Sequence, residues 1–321
     1  MKTLFCFFAA GLLLFGAAAA AQDFRANITG LVVDPTKAAI ANATVTATKD
    51  DTNTSRSTVT NAEGMYTLVG LDPGRYTVTI TASGFTTVRR AGIVLQVAER
   101  LNLPVTMEVG QLTESVTVVG EQELVQTATA SRGLVFDQVK MEGLPIPGRT
   151  VFMLMTLSPG VMWTRRSFGP TGFSAHSAWA MDGLFTVNGG RTGTNQFLLN
   201  GAPISTQGTF NVLPNVDAVE EMKVMVNTYD AQYGRSGGGH ISTTLRSGAN
   251  QWHGSVVDFW RNRVLDANTR QNNAGGQRRG FRNQHQFSGV LGGPIRKDRD
   301  FVFASMEAWR SRLPFPIVST V

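Results

Sequence analysis

One cysteine, four histidines and a charged share of 16% leave this 321-residue chain short of most of the usual reagents of catalysis. Cys6 lies in an apolar N-terminal stretch expected to be removed, so the remaining chain has no thiol for disulfides, thiolate zinc sites or cysteine nucleophiles. His176, His240, His253 and His285 are dispersed, with none at i, i+4 from another, so neither a metal cluster nor any cofactor is expected. Charge is scarce against a usual share of about 25%. Lys plus Arg exceed Asp plus Glu by 29 − 23 = 6, but they are scattered, with Arg pairs at 89/90, 165/166 and 278/279 instead of a block, and nucleic acid is not an expected partner. After residue 21 no run approaches 18 consecutive apolar residues. Entry into a membrane would therefore have to be as a closed β-barrel, the alternative to a helix that satisfies every backbone group in lipid.

What is present points to strands. Glycine is abundant at 34 residues, and the Thr, Asn and Ser content argues for short strands joined by turns, a mainly β chain with enough apolar residues, 42%, to build cores. Residues 1–21 read as a signal peptide: Lys2, the apolar run Leu4 to Phe15 and the alanine-rich exit Ala17 to Ala21, with cleavage leaving Gln22 first. From 24 to 108, strands are expected at Ile28–Val33, Ala43–Thr48, Ser55–Thr60, Met65–Val69, Gly74–Ala82 and Arg100–Glu108, separated by turns such as Asn61–Gly64 and Asp72–Gly74. In Arg75–Ile80, Tyr76, Val78 and Ile80 share one face, as in a sandwich strand with one dry side. Residues 109–132 form a segment between domains. From 133 to 248 the pattern is α+β, with strands at 185–188, 196–199 and 223–227, a helix over Asn215–Met222 and an exposed loop over 165–180. The carboxylates Asp182, Asp217, Glu220 and Glu221 are read as polar surface. From 250 to 321, Gln251–Arg261, Gln284–Gly292 and Asp300–Arg310 have the length of a tilted membrane strand and carry aromatic residues near their ends.

Two stretches carry family resemblances. Ile28–Asp34, Ala43–Ala47, Thr60–Tyr66 and Leu71–Val78 resemble the carboxypeptidase regulatory-like domain, a seven-stranded sandwich often grouped with carbohydrate-binding-like folds. Pro214–Val224, Tyr229–Gly239, Ile241–Ser255, Asn283–Gly289, Gly292–Ile295 and Asp298–Phe303 resemble the plug end and barrel entry of TonB-dependent outer-membrane receptors, in particular the Oar-like ones with an N-terminal sandwich.

The resemblance implies a signal peptide (1–21), a periplasmic sandwich (24–108), a coupling segment and linker (109–132), a plug (133–248) and the start of a transmembrane barrel (250–321). It implies a non-enzymatic transporter in the outer membrane. Its partners would be the energy-coupling protein TonB, outer-membrane lipid, and an extracellular ligand that is a siderophore, oligosaccharide, peptide or cobalamin. Barrels of this type have about 22 strands, so 71 residues after Asn250 lead to the expectation of an incomplete barrel from a truncated chain. A secreted carbohydrate-binding or adhesion protein is the alternative. Within the resemblance, Glu114, Ser115, Val116, Thr117, Val118 and Val119 look like a TonB box; the same residues also suit a first plug strand or a last sandwich strand. Gly237, Gly238 and Gly239 are read as a plug-to-barrel hinge. Neither this run nor Asn188–Gly193 has the Lys-Ser or Lys-Thr of a phosphate loop.

Overall fold

The computed structural model describes residues 24–110, 115–119, 132–144, 147–164, 184–206, 209–227, 229, 233–234, 236–268 and 270–312. The expected signal peptide, Glu114 and the whole of the expected 165–180 loop lie outside the described residues. The chain is mainly β, built as three successive sheet assemblies.

The first is a sandwich. One sheet has the order β4 (Met65–Leu71), β1 (Ala26–Val33), β7 (Arg100–Asn102), with β8 (Val105–Thr106) also on β1. The other runs β3 (Ser55–Val59), β2 (Thr44–Lys49), β5 (Gly74–Thr81), β6 (Thr87–Leu95), β9 (Ser115–Val119). β7 and β8 both lie parallel to β1 and are separated by Leu103-Pro104, where proline has no N–H to give; counted as one broken strand, they bring β1–β8 to seven. Ile28, Val32, Val45, Leu68, Val78 and Ile80 are among the residues of the core between the sheets. Thr77 lies on the opposite face of β5 and is nevertheless buried, its hydroxyl donating to Asp50 Oδ1 at 2.9 Å.

β6 was not among the expected strands. Arg89-Arg90-Ala91-Gly92 interrupts its alternation, and the pairing with β5 slips there: Tyr76 faces Ile93 and Val78 faces Arg90, leaving an extra residue on β6. Gly92, at φ +79, supplies the left-handed position of this bulge.

The second assembly is a mixed sheet of order β10 (Arg132–Asp137), β17 (Val219–Asn227), β18 (His240–Leu245), β13 (Gln196–Leu199), β14 (Ala202–Pro203), with β13 parallel to β18. Two small ribbons, β11 (Val161–Trp163) with β12 (Phe185–Val187) and β15 (Ser205–Thr206) with β16 (Thr209–Phe210), flank it. Its core stacks Phe152 on Phe210 at 4.6 Å and sets Phe197 edge-on to Phe152 at 5.0 Å. The apolar run after Thr150 is a 3-10 helix, Val151–Leu157.

The helix expected over 215–222 is not formed. Asn215 caps a single 3-10 turn, Val216–Ala218, and the chain is extended from Val219 because β17 pairs on both sides, with β10 and with β18. Tertiary pairing overrides a weak helical pattern rich in valine.

The third is the antiparallel sheet β19 (His253–Asn262), β20 (Asn283–Arg296), β21 (Asp300–Arg312). Residues 263–282 make a long connection at one end and 297–299 a tight turn at the other. Among the described residues no helix is long and apolar enough to cross a membrane, which says nothing of crossing by strands.

Candidate functional site

The period-2 rule puts successive residues of β19–β21 on opposite faces, and the two faces differ. Gln284, Gln286, Ser288 and Val290 of β20 are buried on one. On the other, Val256, Gly289 and Met306 form one row across the sheet, and Phe287 and Leu291 lie on either side of it; Val256 is 91% exposed and Met306 71%. The neighbouring pair Val256-Val257, which breaks a simple apolar alternation, thus splits between the faces. Trp260, bonded through Nε1 to Asn283 Oδ1 at 2.8 Å, closes the apolar rows at the end nearer the long connection. Trp252 closes the other end, its ring lying where a Cβ on Gly293 would sit. The ten steps from His285 to Ile295 at about 3.4 Å each, tilted by roughly 40°, give a band about 25 Å tall.

The inner face meets the second assembly through polar groups. Arg149 is paired with Asp217 and its guanidinium lies 3.8 Å over the Phe259 ring. Ser288 Oγ donates to Asp217 Oδ2, and Asn215 Nδ2 donates to Ser288 Oγ at 2.8 Å. The passage between the two assemblies is residues 246–252. Gly248 is required there, since a Cβ would stand 2.5 Å from Val302 O and 2.7 Å from Gly293 O.

Gly237–Gly239 stand before β18, inside the second assembly. Gly239 N donates to Asn195 Oδ1 at 3.0 Å, and a Cβ on Gly238 would meet that same oxygen at 2.3 Å. Gly190 faces Gly237 O, so the two glycine motifs of the sequence share one cleft with Val187, Asn188 and Tyr229. Gly234 to Gly238 also has the G-x-S-x-G spacing of a hydrolase elbow, against the expectation that no such motif occurs in the chain. Ser236 Oγ is engaged with backbone, 3.0 Å from Thr194 O and 3.1 Å from Gly239 O, and it precedes a strand, not a helix. Nearby His240 is fully buried beside Tyr229 and Tyr233, and burial pushes its pKa down to about 4, so it is neutral at pH 7.

Expected as polar surface, Asp217 and Glu221 are instead drawn into contacts between assemblies; Asp182 lies outside the described residues. Glu221 and Lys223, two apart on β17, project to one side and grip a single sandwich residue. Val97 N donates to Glu221 Oε1 at 2.8 Å, and Lys223 Nζ donates to Val97 O at 3.2 Å. Burial raises the Glu221 pKa to about 7, against the opposing pull of the Val97 N–H and the Lys223 charge, with Glu99 and Glu220 adding to the rise. The sequence carries only part of the signal: Glu221 and Lys223 stand at alternate positions of a strand with Val219, Met222, Val224 and Met225, while their partner Val97 is remote in the chain.

A second sandwich contact reaches the tight turn between β20 and β21. Asn53 Nδ2 and Asn250 Nδ2 both donate to Asp298 Oδ1 at 2.7 Å, and Asn250 N donates to Asp51 O at 2.9 Å.

Of the TonB-box-like residues, 115–119 form β9 at the end of its sheet. β9 lies parallel to β6 in the register Thr87 to Ser115, Val88 to Val116, Arg89 to Thr117, Arg90 to Val118 and Ala91 to Val119. It is the one parallel pairing in that sheet, and among the described residues nothing pairs with its outer edge. In the sandwich, Tyr66 and Tyr76 are core residues, 3% and 4% exposed, their hydroxyls donating to Leu103 O and Asp72 O. Among the described residues no group of three metal-ligating side chains occurs.

Comparison with known proteins assigns residues 27–108 to the carboxypeptidase regulatory-like domain and residues 244–321 to an outer membrane beta barrel domain. The chain is 30% identical over 309 residues to the TonB-dependent transporter Oar of Myxococcus xanthus; the match takes in 92% of this chain and 27% of the relative, so the chain spans about a quarter of that protein's length. Among solved structures, the siderophore receptor PirA from Acinetobacter baumannii is 18% identical, with a TM-score of 0.35 over 52% of this chain and 22% of its own. The outer membrane transporter YddB from Escherichia coli is 14% identical, with a TM-score of 0.45 over 56% and 26%. Likenesses of that order carry nothing further.

Proposed function

We propose that this chain serves an outer-membrane transporter of the TonB-dependent, Oar-like type, taking up a ligand whose identity is open among siderophore, oligosaccharide, peptide and cobalamin. The observation that carries the reading is the 30% identity to a transporter over 309 residues, running through sandwich, plug and barrel strands in one order. Transport is the activity of that relative. The proposed parts are a signal peptide at 1–21, a sandwich at 24–108, a coupling segment and linker at 109–132, a plug at 133–248 and barrel strands from 250.

The geometry supports an orientation. Barrels of this kind have short periplasmic turns and long extracellular loops. The sandwich is hydrogen-bonded at the tight turn through Asp298, so it belongs on the periplasmic side, and residues 263–282 face outward. The apolar rows of Val256, Phe287, Leu291 and Met306 face lipid, while the Arg149–Asp217–Ser288 contacts hold the plug to the wall.

In the proposed mechanism Glu114–Val119 docks on TonB by strand addition, pairing backbone with a sheet edge. At about 0.5–1.5 kcal/mol net per hydrogen bond, four or five bonds give a weak, reversible hold suited to repeated pulling. Tension on the plug shifts it against the wall, with Gly237–Gly239 as the proposed flexible point. The experiment is cell fractionation with retention on the immobilised periplasmic domain of TonB. The chain should partition with the outer membrane and be retained, and Val116→Pro or Val118→Pro should abolish retention while the sandwich still folds. A chain found free in the periplasm or medium, with no retention, would sink the proposal.

A further inference from the structure

We infer that the edge of β6 is the resting dock of the coupling strand, so that partner capture is an exchange of β9 from one sheet edge to another. This rests on the proposed function above and adds where the segment waits and what the partner must displace.

The observation is the parallel register of 115–119 on 87–91. Strand addition requires an extended segment, and ordering a free one costs conformational entropy. β6 meets that cost in advance by holding β9 extended at the sheet margin. The hold is limited in two ways. Parallel pairs are slightly less stable per residue than antiparallel ones. Among the described residues the ladder covers five registered positions and ends at Ala91, beside the Gly92 bulge of β6. A dock that is short and parallel releases its strand readily.

Exchange, and not addition to the outer edge of β9, follows from where the sandwich is fixed. Its 50–53 turn is bonded to Asp298 and Asn250, at the foot of the barrel strands, and its Val97 is gripped by Glu221 and Lys223 of the plug. A pull on β9 while it remains in the sheet is borne by the sandwich and, through these contacts, by the wall. Lifted from β6, the segment passes tension along residues 120–131 to β10, the edge strand of the plug sheet.

The test is a reversible clamp. Arg89 and Thr117 are register partners and Arg89 is exposed, so Arg89→Cys with Thr117→Cys places two thiols across the ladder in a chain whose one natural cysteine is Cys6. The full chain in detergent is titrated with the isolated periplasmic domain of TonB, oxidised and then reduced, beside the two single-cysteine variants. We expect binding at least tenfold weaker in the oxidised double variant, restored by reductant, with no redox effect in the single variants. Amide exchange at 115–119 should be slowed in the unmodified chain and faster in Arg89→Pro. Equal binding by the oxidised and reduced forms, or exchange at 115–119 as fast as in an unstructured peptide, would overturn the dock. Failure of the unmodified chain and of every variant to bind the TonB domain would overturn the functional proposal itself, an outcome distinct from the other two.

Discussion

The sandwich and the barrel strands obey the same period of two and bury opposite chemistry. In β5, Tyr76, Val78 and Ile80 point into a dry core and the intervening threonines point away. In β20, Gln284, Gln286 and Ser288 are the buried set, while Phe287 and Leu291 are turned outward. Alternation therefore fixes which residues share a face, and it leaves open which face is dry. That second choice depends on what each sheet is pressed against: a second apolar sheet for the sandwich, and for β19–β21 a polar plug on one side, with the exposed apolar side proposed to meet lipid.

The sharpest way to break this comparison uses one residue type in both places. Leu71 is 2% exposed in the sandwich core and Leu291 is 53% exposed on the outer face. Leu71→Ala should cost about 2–5 kcal/mol in a denaturant melt, the range for emptying a packed site. Leu291→Ala should leave the same melt within about 0.5 kcal/mol. Equal losses would mean the outer face is packed against protein.

Next in size is a charge on that face. Leu291→Arg should cost about 2–4 kcal/mol of membrane insertion if this row lies near the bilayer centre. Partition between vesicles and buffer reads the effect, and the sandwich unfolding transition should not move. A loss in the sandwich transition with unchanged partition would invert the assignment of faces.

The third effect is electrostatic and sits where sandwich meets plug. Glu221 has a pKa near 4.5 when unfolded and about 7 when folded, a rise caused first by burial. Below pH 4.5 both states hold the proton and the contribution is complete. Between 4.5 and 7 the unfolded chain loses its proton while the folded one keeps it, so stability falls as pH rises, and above 7 the penalty is constant. At about 1.36 kcal/mol per unit, the ceiling is on the order of 3 kcal/mol. Glu221→Gln keeps an acceptor for Val97 N and should flatten the decline across that window relative to the unmodified chain, as read from melts at a series of pH values. Parallel slopes in the two proteins would show that Glu221 does not titrate there.

Legibility in the sequence followed locality. The Asn61–Gly64 and Asp72–Gly74 turns, the dry face of β5 and the approximate length of β19 are written in adjacent residues, and the structure has them; β20 and β21 run past the expected Gly292 and Arg310, to 14 and 13 residues, because each keeps a neighbour to pair with. What the sequence concealed was set by distant partners. β6 carries a bulge at Ala91-Gly92 that breaks its pattern but suits its neighbour β5. Asn215–Met222 has a weak helical pattern that pairing with β10 and β18 overrides. Glu221 and Lys223 look solvated until Val97, far off in the chain, is placed between them. The β-prone character of 115–119 was legible; the edge it pairs with was not, because nothing local to an edge strand specifies its neighbour.

The smallest effect separates the two sandwich contacts from each other. Asn53 Nδ2 reaches Asp298 across exposed turns, and Asn250 supplies the same carboxylate with a second donor at the same distance. Asn53→Ala therefore removes one of two donors from a group that also has water, and should cost no more than about 0.5–1.5 kcal/mol, the net worth of one hydrogen bond, with the lower end favoured by exposure. Asp298→Ala removes the acceptor for both, and so should cost more than Asn53→Ala and Asn250→Ala individually. Its backbone sits at φ +62, a region that alanine occupies less easily than Asp, so Asp298→Gly, which removes the acceptor without backbone strain, is the better variant. A double-mutant cycle on Asn53 and Asp298, read as amide exchange in the 50–53 turn, should give a small positive coupling. A coupling of zero would mean that the turn of the barrel strands bears none of the load, and that the sandwich is held through Val97 and through the Asn250 N to Asp51 O bond.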